Sequence, residues 1–314
     1  MTVSTDASSP SNRGRTQQIA PALLSEADWL PWPFLACDGN PITSQITGNS
    51  YFVRRRIGEG AFGVVFGCGD MWDNELVIKV LKPSLADEIK STQDRAIHEL
   101  VVLAHVRHPN IVHVHEAFEF EHAYCIVSDQ CDQTLAQFSA LPNFEPRMWF
   151  RGLARCILQA LHFTHVQQLA HCDVHSGNVF VHYLPDEILP REYASMVFKL
   201  GDFGLARPKN EIAANSTFLT RIRPPEAIDK SEFGPLDHRV DIYRCGLLFL
   251  EFLLGAQGKF SQEELLIGRP QEAALMQQSP VFEAIARMVR RHVPYRTFSA
   301  LEAWHEIRSA LLVQ

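Results

Sequence analysis

The sequence predicts an α+β fold in two lobes: a small lobe built on a five-stranded sheet with one main helix, then a larger, mainly helical lobe. Three observations carry this. From Tyr51 to Asp129, short runs rich in β-branched and aromatic residues alternate with turn residues. Beyond Thr134 the apolar residues recur at helical spacing, and 314 residues with 46 % hydrophobic content can bury a core in each lobe.

The elements follow in order. Residues 1–18, rich in Ser, Thr, Pro, Asn and Arg, hold too little apolar surface to repay ordering and read as a disordered tail. Residues 19–50 change character, with Leu23, Leu24, Trp29, Leu30, Trp32 and Phe34. They read as an extension that packs on the domain, with the docking of a regulatory partner through 19–35 as the other use. Strands follow in "YFVRRRIG", "GVVFGCG" and "ELVIKVL", then a helical pattern over about 87–106, then strands in "IVHVHEAF" and "AYCIVSD". From Pro146 to Gln168, Trp149, Leu153, Ile157 and Leu161 recur every four residues beside Phe150 and Ala154, the signature of a helix with one buried face. An apolar helix is expected from Val240 to Leu254, and others over 261–267, 270–278, 280–291 and 299–313.

Charge and cysteine usage narrow the function classes. A formal charge of −7, from 29 basic and 36 acidic residues, argues against general nucleic-acid binding. The seven cysteines, at 37, 68, 125, 131, 156, 172 and 245, are odd in number and not closely paired, as expected of reduced thiols in a cytoplasmic or nuclear protein. No apolar run is long enough to span a bilayer and the first residues lack a signal-peptide core, so the Asn215-Ser216-Thr217 sequon is expected to be accidental.

The chemistry begins at "IGEGAFGVVFGC", where Gly58, Gly60 and Gly63 precede Val65 between two β-like runs. Such spacing lets backbone amides approach phosphate oxygens without a Cβ in the way, and it also suits a hairpin that only has to turn tightly. Lys79 then stands inside the apolar strand "LVIKVL", fourteen residues after Val65. It is either an edge-strand guard or a buried cation, and Glu99, 20 residues on, is placed to pair with it. A lysine so held and aimed at α- and β-phosphates uses both charges.

Together with "RHPNIV" at 107–112, these residues resemble the eukaryotic-type protein kinase family over roughly residues 51–310, with the motifs in the family's order. The resemblance implies the bilobal protein kinase-like fold over 51–312, with an N-lobe of 51–129, a hinge of 130–133 and a C-lobe of 134–312. It implies ATP and Mg as cofactors and a protein substrate. The nucleotide would lie beneath Gly58, Gly60 and Gly63 and above Phe180, bordered by Val65, Val77, Ser128 (the gatekeeper position), Asp129 and Cys131. In "HCDVHSGN", Asp173 would accept the substrate hydroxyl proton and Asn178 would hold a metal ion, and in "KLGDFGLA" Asp202 would be the second metal ligand. Lys79, Glu99 and His175 complete the catalytic set. Structural places fall to His171, Phe203, Leu103 and Val114, to Asp241 bonding back to the catalytic-loop backbone, and to Glu226 of "RPPEAI" clasping Arg296.

The pattern also departs from the family. Cys172 stands where many members carry an arginine that gathers a phosphorylated activation loop, so control by phosphate at Ser216, Thr217 or Thr220 is disfavoured. His175 replaces the lysine common in serine/threonine kinases and brings the loop toward the "HGDxHxxN" pattern of small-molecule kinases. Tyr243 and Arg244 replace the more usual Trp and Ser. Between Asn178 and Asp202 lie 23 residues, roughly ten beyond the family's habit, which enlarge a hairpin tip over 183–196, a second candidate contact for a regulatory partner. Arg221 and Arg223 either meet acidic groups of a substrate or are solvated loop charges. The expected activity is transfer of the ATP γ-phosphoryl group to protein Ser/Thr hydroxyls; the alternatives are a pseudokinase serving as scaffold or allosteric partner, and a small-molecule kinase.

Overall fold

The computed structural model describes residues 41–60, 63–81, 106–121, 123–184, 195–212 and 223–313. The small lobe is an antiparallel sheet in the order β1-β2-β3-β4-β6-β5: β1 Ile42–Thr43, β2 Ser50–Gly60, β3 Gly63–Gly69, β4 Glu75–Leu81, β5 Val114–Phe120 and β6 Ala123–Asp129. Its sixth strand, β1, comes from the segment read as an extension. Two residues are too few to show a period, but Ile42 is fully buried and pairs with Tyr51. Glu116 on β5 draws the same segment in, accepting hydrogen bonds from Thr47 Oγ1 (2.8 Å), Asn49 Nδ2 (3.3 Å) and the Tyr51 hydroxyl. Residues 1–40 and the main helix expected at 87–106, apart from Val106, lie outside the described residues.

The two sheet faces have different tasks. Val64, Phe66, Cys68, Leu76, Ile78, Val80, Phe118, Cys125 and Val127 form one apolar cluster on one face. Their neighbours along the strands, Val65, Val77 and Lys79, are half-buried on the other, as the two-residue period of a strand requires. Cross-strand pairing of Val65 with Lys79 and of Val77 with Ser128 groups these four on that second face.

The strand expected from Ile111 begins only at Val114, because residues 110–112 pair with the other lobe. Leu200 N–H donates to the Asn110 carbonyl (2.8 Å), Val112 N–H to the Leu200 carbonyl (2.9 Å) and Asn110 Nδ2 to the Phe198 carbonyl (3.1 Å). The chain crosses between lobes at 130–132; Gln133, assigned to the hinge from sequence, already opens β7 (Gln133–Thr134).

In the larger lobe, α1 (Leu135–Ser139) is followed by α2 (Pro146–Val166), which buries Phe150, Leu153, Ala154, Ile157, Leu158 and Leu161. It ends before the expected Gln168, which takes a left-handed φ of 62°. Strands β8 (Leu169–Ala170), β9 (Val179–Leu184), β10 (Ser195–Leu200) and β11 (Arg207–Pro208) carry the functional loops. The β9–β10 hairpin is antiparallel, with Val179 opposite Leu200, and its tip at 185–194 lies outside the described residues. A four-residue helix, α3 (Lys230–Phe233), leads to α4 (Arg239–Leu254), the buried centre of the lobe. Then come α5 (Gln262–Ile267), α6 (Arg269–Leu275), α7 (Pro280–Met288) and α8 (Ala300–Leu312); α6 and α7 pack on α4, α5 on α6, and α8 on α2 and α7. Helix α6 stops short of the expected 278, since Gln278 is left-handed (φ 50°) and Pro280 disfavours helical backbone before it.

Candidate active site

The roof of the cleft is the β2–β3 hairpin, with Gly58 opposite Val65 and Gly60 opposite Gly63. Its tip, residues 61–62, lies outside the described residues. The glycines are needed for different reasons. A Cβ on Gly63 would stand 2.3 Å from the Val80 carbonyl oxygen, so β4 itself excludes any side chain there, whereas a Cβ on Gly58 would meet open space. Val65, Val77 and Ser128 are half-buried on one face of the sheet, and Phe180 on β9, also half-buried, lies beside Gly201.

Lys79 reaches across the cleft from β4. Its Nζ donates to Asp202 Oδ1 at 3.0 Å, with the two side chains 17 % and 31 % exposed, so the pair is sheltered but open to a ligand. The partner expected from sequence, Glu99, lies outside the described residues, as does Leu103. Asp202 takes a left-handed backbone (φ 56°) and accepts the Gly204 N–H, opening a 3₁₀ turn over Phe203–Leu205. Burial pushes its carboxyl up, but the Lys79 ammonium outweighs this and holds it below the usual carboxylate range.

The loop between β8 and β9 gathers the remaining polar atoms. Asp173 Oδ2 receives Asn178 Nδ2 at 3.1 Å and faces His175 Nε2 at 3.4 Å, while Asn178 Nδ2 also donates to the Asp173 carbonyl at 3.0 Å. His175 Nδ1 accepts the Gly177 N–H (3.0 Å), which leaves Nε2 to face the carboxylate. Burial raises the Asp173 pKa; the His175 hydrogen bond and the Arg244 charge overcome it and keep the carboxyl ionised below its ordinary value.

Asp241 is the foundation of this loop. Fully buried at the start of α4, it accepts the N–H groups of His171 and Cys172, both at 2.8 Å, and His165 Nε2 at 2.9 Å. Cys172 has a left-handed φ of 64°, costly for a residue with a side chain, and Asp241 holds it there. His171 accepts the Asp173 N–H on Nδ1 (3.2 Å), bonds the Gly201 carbonyl through Nε2 (3.0 Å) and meets the Phe203 ring edge-on at 4.6 Å. One buried imidazole thereby joins the loop to the segment bearing Asp202. Val114 packs against both the helical core and the Leu81–Ala117–Ile126 cluster, bridging the lobes. Farther down, Arg296 clasps Glu226.

Other groups fall differently from expectation. The Asp129 carboxylate is taken up by Lys199 Nζ (3.0 Å) and His115 Nε2 (2.8 Å), and its N–H donates to the His113 carbonyl (2.9 Å), so the side chain expected to border the nucleotide is already paired. Burial pushes the Cys131 thiol up to about 12. Ser216, Thr217, Thr220 and Arg221 lie outside the described residues.

One participant was missed by sequence reasoning. Arg244, noted there only as a departure, is buried in α4 and its Nη2 donates to Asp173 Oδ1 at 2.9 Å. The signal was present: an arginine in the middle of the apolar run "VDIYRCGLLFL" must find an anion, because a buried charge without one is costly.

Comparison with known proteins sets this geometry in context. Residues 51–295 match the family described as "Protein kinase domain". Among curated proteins, "Serine/threonine-protein kinase 36" of Pongo abelii is 27 % identical over 211 residues, a match covering 65 % of this chain and 15 % of that protein. "Cyclin-dependent kinase-like 4" of Mus musculus is 28 % identical over 204 residues, covering 64 % of this chain and 55 % of that one. The chain thus spans about half the length, or less, of these relatives. A crystal structure of the Mycobacterium tuberculosis PknI kinase domain superposes with a TM-score of 0.60 at 23 % identity, covering 83 % of this chain and 95 % of that one, a likeness of fold.

Proposed function

The chain belongs to the protein kinase domain family, and from that membership we propose that it transfers the γ-phosphoryl group of ATP to serine or threonine hydroxyls of a protein, its kinase domain spanning 51–312. The observation that carries the reading is the convergence on one cleft of the Lys79–Asp202 pair and the Asp173–Asn178 pair, at 3.0 and 3.1 Å. Phosphoryl transfer asks little covalent chemistry of a protein; it needs an in-line hydroxyl, cations on the phosphates and a carboxylate near the attacking oxygen.

The residues suit that demand. As the substrate oxygen bonds to the γ-phosphorus, its proton passes to Asp173 and the bond to the β-phosphate oxygen breaks, with ADP leaving on that electron pair. Lys79 steadies the phosphates, and Val65, Val77 and Phe180 enclose the adenine. The donor set fits magnesium: Asn178 spends its Nδ2 on Asp173 and keeps Oδ1, while Asp202 spends Oδ1 on Lys79 and Gly204 and keeps Oδ2. Held by Asn178 and Asp202, magnesium would neutralise the charge that develops on the phosphates.

The serine/threonine assignment draws on the names of the curated relatives and on a loop, "HCDVHSGN", without the arginine arrangement of tyrosine kinases. Cys172 in that loop packs with Ala170, Ile212, Leu236 and Val240. An apolar anchor there supports activity without loop phosphorylation, with control left to a partner at 19–35 or 183–196. No helix of the described residues is long and apolar enough to cross a membrane, and we place the protein in the cytoplasm or nucleus. Transfer of radiolabelled γ-phosphate to generic protein substrates, wild type beside Asp173→Ala, tests the reading. Nucleotide binding without transfer would leave the scaffold role, and transfer only to small alcohols would leave the small-molecule one.

A further inference from the structure

Helix α4 touches the catalytic loop through one face. Asp241 and Arg244 are three residues apart, so their side chains lie over each other on that face. Asp241 takes the N–H groups of His171 and Cys172; Arg244 takes the next two residues, with Nη2 on Asp173 Oδ1 at 2.9 Å and Nε on the Val174 carbonyl at 3.3 Å. Four consecutive residues of the loop are thereby held from one buried helix. The second grip differs in kind from the first, because it ends on the side-chain atom that carries the chemistry.

The loop offers Asp173 little cationic help of its own. The Cys172 thiol is buried in an apolar cluster, and His175 Nε2 stands 3.4 Å from Asp173 Oδ2, farther than the 2.9 Å of the Arg244 guanidinium from Oδ1. The Arg244 side chain is 9 % exposed, which makes its charge costly to place unless it is paired. A guanidinium presents a rigid planar fork that can hold a carboxylate plane and a neighbouring carbonyl together, which a flexible ammonium cannot do.

We propose that Arg244 is a positioning residue for Asp173: reaching up from α4, it fixes the plane of the acceptor carboxylate and sets a permanent guanidinium charge beside it, in a loop that carries Cys172 and His175 where arginine and lysine are common. The proposal rests on the kinase reading above. With Arg244 on Oδ1 and Asn178 on Oδ2, the carboxylate cannot rotate about its Cβ–Cγ bond without losing both, and the lone pairs left over keep one direction toward the cleft.

The test uses the full chain with Mg-ATP and dephosphorylated casein, comparing wild type, Arg244→Gln, Arg244→Lys, Asp173→Asn and the double variant Asp173→Asn/Arg244→Gln. Arg244→Gln is expected to lower kcat by about tenfold or more while KM for ATP stays within about threefold, since positioning of a base acts on the chemical step. Arg244→Lys should recover part of that loss. The double variant should be no slower than Asp173→Asn, because Arg244 acts through Asp173; a merely structural arginine would add its own loss. A folded Arg244→Gln with unchanged kcat, or multiplying losses in the double variant, overturns the proposal. An inactive wild type that binds ATP overturns the kinase reading and this role with it, whereas an active wild type with an equally active Arg244→Gln overturns this role alone. If both Arg244 variants fail to fold, the Arg244 Nε–H resonance of arginine-labelled protein decides: it should move on Asp173→Asn, and an unmoved signal overturns the proposal.

Discussion

Glu226 takes both terminal nitrogens of Arg296, at 2.6 and 2.8 Å, and neither side chain reaches solvent. The remaining donors of Arg296 go to the carbonyls of Arg239, Arg290 and Arg291, and its guanidinium lies 4.5 Å from the Tyr243 ring centroid. Removing the carboxylate leaves this charge buried without its anion. Glu226→Ala is therefore expected to cost about 3–5 kcal/mol, the range for breaking a buried pair from one side. Urea denaturation checks it, and a change under 1 kcal/mol would show that the pair contributes little.

Asp241 links stability to pH. Burial raises its pKa, but the hydrogen bond and charge of His165, the charge of His171 and that residue's N–H outweigh it, so the folded value lies below the unfolded one. A depressed carboxyl contributes fully above its unfolded pKa of about 3.9 and loses that contribution as pH falls toward the folded value. Asp241→Asn should cost about 2–3 kcal/mol at neutral pH, as loss of charge-assisted hydrogen bonds does. It should also flatten the stability curve below about pH 4. Denaturation midpoints from pH 7 down to 3 would contradict this if both proteins lost stability in parallel.

Activity is expected to survive removal of phosphate from the activation segment. The position at which a phosphate-gathering arginine would stand is Cys172, whose side chain packs with Ile212, Leu236 and Val240. Phosphatase treatment, and the triple variant Ser216→Ala/Thr217→Ala/Thr220→Ala, should leave most turnover intact. A matching fall of about tenfold in both, about 1.4 kcal/mol in transition-state stabilisation, would refute it.

How much of this was legible in the sequence follows from the kind of signal each residue leaves. Lys79, Asp241, Glu226 and Arg296 are charges set in apolar surroundings, and a buried charge announces a partner. The β9–β10 hairpin was legible around its long insert because "NVFV" and "MVFKL" keep strand character on either side. Strand β1 was not, since two residues carry no period. The Arg244–Asp173 contact joins residues 71 apart, and local pattern names no partner at that range. Gly63 was expected to serve phosphate, while the nearer reason for its lack of a side chain is the Val80 carbonyl beneath it.

The cleft face of the sheet predicts an inhibitor preference. Ser128, at the end of β6, lies directly across from Val77 on β4 and from Val114 on β5, so a small hydroxymethyl group is flanked by two branched apolar side chains. A side chain this small would leave a recess beside a bound adenine, which would favour an added aromatic group at about 25 cal/mol per Å² of apolar area buried. On the proposed kinase reading adenine would lie between Val77 and Phe180, so added volume would be penalised there and accepted past Ser128. Purine-like inhibitors with a bulky aromatic group aimed past Ser128 should bind more tightly than their unsubstituted parents. Ser128→Met should erase the preference and largely spare ATP turnover, because the substitution fills the recess and leaves Lys79, Asp173 and Asp202 untouched. Titrating both inhibitor types against both proteins decides the matter: equal affinities in the wild type, or an unchanged preference in the Met variant, would mean that Ser128 does not border the recess.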